Sequence, residues 1–89
     1  MRHTIQTALT ILRRQQAEAA SGYSRSTIYL RISQGLWTKP IALGARAVGW
    51  PASEVEALNA ARIAGASEAE IRALVAKLHA NRCTALARV

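Results

Sequence analysis

The chain has 89 residues, with twelve Lys and Arg against five Glu, no Asp, and a net charge of +7. That length implies one small domain with a thin core, and that charge favours a polyanionic partner. No apolar run is long enough to span a membrane, the N-terminus lacks a signal-type apolar segment, and Cys83 is alone, so a cytoplasmic protein without disulfides or membrane attachment is expected.

The charge is unevenly distributed. Residues 1–50 carry Arg2, Arg13, Arg14, Arg25, Arg31, Lys39 and Arg46 against Glu18 alone, whereas residues 51–89 nearly balance. A polyanion contact is therefore expected in the first half. Hydrolytic and phosphoryl-transfer sites need a base with an orienting carboxylate, or carboxylates holding a metal, and no such group is legible here. The expectation is a non-enzyme without cofactor or metal, in which His3, His79 and Cys83 are structurally incidental.

In chain order, residues 1–12 show a weak apolar pattern compatible with a frayed helix or a short strand ending at Leu12. Arg13 to Ser21 are good helix formers, and Gly22 stands where a left-handed helix end is wanted. Ser24 is placed to cap a second helix, with Ile28 and Ile32 one turn apart on its inner face and a stop at Gly35. Tyr23 is expected to plug the angle between the two helices. A helix, a glycine turn and a basic helix give the pattern of a helix-turn-helix.

Pro40 to Leu43 and Ala47 to Trp50 flank Gly44-Ala45-Arg46 and are expected to pair as a β-hairpin, with Ile41 and Leu43 on one face and Val48 and Trp50 on one face. Trp37 and Trp50 are expected in the core. Pro51 suits the first turn of a further helix, with Glu54 and Glu56 complementing its positive end and Gly65 ending it. Ser67 to Glu70 form a capping box ahead of a stripe of Ile71, Leu74, Val75 and Leu78. That stripe either folds back on the domain or packs on a second copy; self-association is the preferred reading for so short a chain.

The order and spacing of Ser24-Arg25-Ser26-Thr27-Ile28-Tyr29, Gln34-Gly35, Lys39-Pro40, Leu43 to Trp50 and Ser53-Glu54-Val55 resemble the AlpA-type phage regulatory proteins. These belong to the MerR-like and excisionase-like winged-helix proteins. The resemblance implies a mainly α fold with a small β-hairpin wing, a winged helix-turn-helix over residues 13–64; the additional C-terminal helix over residues 67–89 lies beyond it and is read from its own capping box and apolar stripe. The resemblance also implies a regulator of a prophage or integrative element that binds double-stranded DNA as a transcription factor or a recombination directionality factor.

On that basis the candidate DNA contacts are Ser24, Arg25, Ser26, Thr27, Tyr29, Arg31, Lys39 and Arg46. Arg25 would touch a phosphate or base edge from the first turn of the recognition helix. Ser24 is a cap whose free helix end could also hold a phosphate, while Ser26 and Thr27 are either groove contacts or a solvent-facing turn. Tyr29 divides between sugar-phosphate backbone and core cover, and Arg31 suits a backbone contact. Lys39 would add a phosphate contact, and Arg46 at the hairpin tip would enter a minor groove. The alternative is a protein-interaction module that binds an integrase or another partner, with DNA contact secondary.

Overall fold

The computed structural model describes residues 9–85; His3, Arg88 and most of the ambiguous N-terminal segment lie outside them. In chain order the elements are strand β1 (Ile11–Arg13), helices α1 (Arg14–Ser21) and α2 (Arg25–Ser33), strands β2 (Ile41–Ala42) and β3 (Val48–Pro51), and helices α3 (Ala52–Ile63) and α4 (Glu68–Ala85). This is a winged helix-turn-helix with a further C-terminal helix.

The local signals act as their chemistry requires. Gly22 ends α1 at φ 78°, a left-handed conformation that side chains other than glycine resist, and its N–H donates to Glu18 O. Two residues later Ser24 caps α2, its hydroxyl oxygen accepting from Thr27 N–H at 3.3 Å. The α1–α2 turn is closed from outside by α3, where Asn59 Nδ2 donates to Ala20 O and Arg62 Nη1 to Ser21 O. The carbonyls left over at the end of α1 thus find partners. Tyr23 fills the angle between the helices, set edge-on to Trp37 and covered by the Arg62 guanidinium 4.1 Å from its ring centre.

The wing has three strands, in the order β1-β3-β2, all antiparallel. The segment before α1 supplies the third: its described end is a strand that runs one residue past the expected stop at Leu12, to Arg13. Leu12 faces Trp50 and Arg13 faces Gly49 in register. Gly49 is required by that crowding, because a Cβ there would lie 2.6 Å from Ile11 Cγ2 and 2.9 Å from Leu12 O. Two expectations are corrected. β2 stops at Ala42, leaving Leu43 outside the strand and exposed, with its N–H donating to Ala47 O to close the turn. Pro51 ends β3 and stands ahead of α3 rather than within its first turn.

Ala17, Ile28, Trp37, Trp50, Val55, Leu58 and Val75 make the core, so both tryptophans are buried. Trp50 Nε1 donates to Thr38 O at 2.8 Å, which satisfies the indole within that core. The capping box forms: Glu70 N–H donates to Ser67 Oγ and Ser67 N–H to Glu70 Oε1, and donation to the carboxylate from the Ser67 N–H, then from the Ser67 hydroxyl, holds the Glu70 carboxyl below its ordinary value.

The stripe on α4 folds back on the domain, one of the two fates expected of it. Val75 is buried, and Ile71, Leu74 and Leu78 pack against the chain's own core. These side chains add cover to a thin core, with Ile71, Leu74 and Leu78 half-buried.

Glu54, read from sequence as a helix-end charge, is instead buried at 4 % exposure. Arg82 of α4 meets it through two parallel bonds of 2.7 Å. Removing one partner of such a pair strands the other charge away from water, so Arg82→Ala is expected to destabilise the domain by about 3 kcal/mol in urea denaturation. An unchanged urea midpoint would contradict this role for the pair.

Candidate nucleic-acid interface

The face of α2 turned away from the core carries Arg25, Ser26, Tyr29, Leu30 and Ser33, all exposed. Their spacing places them along one side of a helix. Ile28 on the opposite side is fully buried and anchors the helix. Tyr29 is 39 % exposed and rests its ring edge-on to Trp50 at 6.3 Å, leaving the rest of the side chain toward solvent. Both of its anticipated roles therefore remain chemically accessible.

The hydroxyls at the start of α2 satisfy one another. Ser24 Oγ donates to Thr27 Oγ1 at 2.9 Å and lies 3.3 Å from Ser26 Oγ. Thr27 is half-buried, whereas Ser26 is exposed. Arg31 is turned elsewhere: its Nη1 donates to Gln34 Oε1, and its guanidinium lies 5.7 Å from the Tyr23 ring centre. It supports the inter-helix turn from a side of α2 distinct from Arg25.

Lys39 and Arg46 are exposed on the loop after α2 and at the wing tip. Between Glu18 and Glu54 the sequence has no acidic residue, so the stretch comprising α2, the loop and the wing contains only positive charges. Arg46 also shares a cleft with Arg13, Arg14, Gln15, Gln16 and Val48. Arg13 and Arg14 carry no local signal that places them at a site; only the β1–β3 pairing brings them beside the wing.

A set of polar tethers from α4 holds this surface together. Arg72 Nε donates to Gln34 O, the residue that caps α2, at 2.9 Å. His79 Nε2 accepts from Lys39 N–H at 3.0 Å, and Arg82 Nη2 donates to Lys39 O at 2.7 Å. The C-terminal helix thus grips both ends of the connection from α2 to the wing. His79, expected to be incidental, is one of these grips. It has no local sequence signal because its partner is a backbone amide forty residues away.

Among the described residues there is no group of three or more His, Cys, Asp or Glu able to hold a metal, and no helix long and apolar enough to cross a membrane. A second, more apolar groove runs between β1 and α4, with Leu9, Ile11, Ile41, Pro51 and Leu78 among its walls.

The sequence matches the family model described as prophage CP4-57 regulatory protein (AlpA) over residues 10–63. The chain belongs to this phage regulatory family. The match covers β1 through α3 and stops before α4. The chain is also 50% identical over 44 residues to "Uncharacterized protein ORF88" of Enterobacteria phage P4, an alignment covering 49% of this chain and 50% of the relative. It therefore spans about half the length of that relative. No solved structure matches it.

His79 adds a pH dependence to the AlpA-family wing. Its burial, and then the positive charge of Arg82, hold its pKa below the ordinary value, while Glu54 acts in the opposite direction and Lys39 adds a further lowering. The neutral ring is the form whose Nε2 can accept from Lys39. The folded pKa lies below the unfolded one, so its stabilisation is complete above the unfolded value and declines as pH falls toward the folded value. Between about pH 7 and about pH 5, the wild-type chain should lose more urea resistance than His79→Gln. Parallel losses in the two proteins would remove His79 from the account.

Proposed function

We propose that this phage regulator binds double-stranded DNA sequence-specifically, placing the first turns of α2 in the major groove and the wing against the flanking backbone. Arg25, Ser26 and Tyr29 share the exposed face of α2, Thr27 lies at its edge, and Lys39 and Arg46 extend the positive surface along the loop and wing. The observation that carries this reading is the exposed, acid-free surface of α2 and the wing, set on a buried framework of Ile28 and Trp50. Arginine on a rigid first turn suits base edges and phosphates, while Lys39 suits phosphate alone.

The output is control of a prophage or integrative element, by transcriptional regulation or by directing recombination toward excision. Both need only binding and deformation of DNA, so no chemistry by the chain is required and we infer that it is not an enzyme. An integrase is a natural further partner in the second case. Arg31, engaged with Tyr23 and Gln34, contributes at most a backbone contact when the duplex is bound.

Binding to the preferred duplex should weaken steeply with salt. With about five phosphates contacted, the logarithmic slope is expected near −4 to −5 through counterion release. Arg25→Ala should reduce affinity while leaving the circular dichroism and urea midpoint unchanged. Salt-independent binding, or full affinity in the Arg25→Ala protein, would contradict this interface.

A further inference from the structure

The cleft between the start of α1 and the wing is lined by three arginines, two glutamines and one valine, with a volume of about 550 Å³. No carboxylate lines it. The nearest acid along α1, Glu18, is ion-paired with Arg14, and among the described residues neither Arg13 nor Arg46 has an ion-pair partner. Gln16 uses its carbonyl oxygen to accept from Arg13 N–H at 2.8 Å, which leaves its NH₂ group as a donor. The walls are thus rich in donors and positive charge.

We propose that this cleft is a phosphodiester-binding site, in which Arg13 and Arg46 clasp the backbone of a DNA duplex from two sides; this rests on the DNA-binding reading above. Pairing of β1 with β3 sets Arg13 opposite Gly49, and the wing turn returns Arg46 to the same cleft. Gathering like charges in this way is unfavourable unless a polyanion sits between them. Guanidinium groups match phosphate oxygens in geometry as well as charge, so two of them on opposing walls make a clasp for the sugar-phosphate backbone.

Arg13 is exposed on β1 and Arg46 is exposed at the wing tip, so both side chains are open to a duplex backbone that passes along the wing. Arg46 acts here as a sequence-independent anchor and not as a reader of a narrow A·T minor groove. Arg14, already neutralised in part by Glu18, lends bulk to the wall more than free charge.

The test uses the full chain and two duplexes, one of mixed sequence and one rich in A·T, with fluorescence anisotropy read across a salt series. In Arg13→Gln/Arg46→Gln the salt slope should become shallower by about 1 to 2 on both duplexes. Arg13→Lys/Arg46→Lys should restore most of that slope. An unchanged slope in the glutamine variant would overturn the site, as would a loss confined to the A·T-rich duplex, which would place Arg46 in the minor groove. Inorganic phosphate at matched ionic strength should leave duplex binding intact; displacement from the wild-type chain alone would mean a site for free anions. Failure of the wild-type chain to bind any duplex would instead defeat the DNA reading itself, a result distinct from either.

Discussion

The guanidinium of Arg82 joins three parts of the chain at once: the helix that carries it, the buried carboxylate of Glu54 on α3, and the carbonyl of Lys39 before the wing. A buried ion pair of this kind gains little net stability over an apolar pair of the same shape, because both charges lose water. Its geometry is what matters. A forked guanidinium meeting a carboxylate accepts one arrangement well, and here that arrangement fixes where the loop leaving α2 must run. Arg72 at Gln34 and His79 at Lys39 repeat the constraint at each end of the same loop.

The consequence is a division of labour between the family domain and the helix beyond it. Residues 10–63 provide the elements of the candidate interface, with α2 seated on Ile28 and the wing sealed by the pairing of Leu12 with Trp50. Helix α4 contributes no residue to the α2 face, yet it holds the loop by which α2 and the wing are spaced. Preorganisation of this sort lowers the ordering cost of binding, since the two contacting elements need not find their separation when they meet a ligand. The apolar stripe of α4 and its polar tethers serve the same end: the stripe seats the helix on the core, and the tethers set its register.

Much of this fold was legible locally. Ser24, Gly22 and the Ser67–Glu70 box each act through neighbours a few residues away, and each forms as the sequence implies, as do the buried positions of Ile28 and both tryptophans. Contacts between distant segments were not legible. Glu54 looks like any acid at a helix start until its partner twenty-eight residues away is known, and His79 looks idle until Lys39 N–H is found against it. The third strand shows the same limit, because Ile11 to Arg13 form a strand only by pairing with β3. For the site, the exposed face of α2 followed from helical spacing around Ile28. Arg13 and its cleft did not, since they depend on that same strand pairing.

In the proposed complex a duplex lies across the α2 face and the wing, on a surface held in place by α4. Backbone amide shifts of the isotope-labelled full chain, followed by NMR as duplex is added, test it most directly. The changes are expected to concentrate at Ser24 to Tyr29, Lys39, and the wing turn with Arg13 and Gln16. Changes centred on the apolar groove at Leu9, Ile11, Ile41 and Leu78, with the α2 face silent, would contradict it.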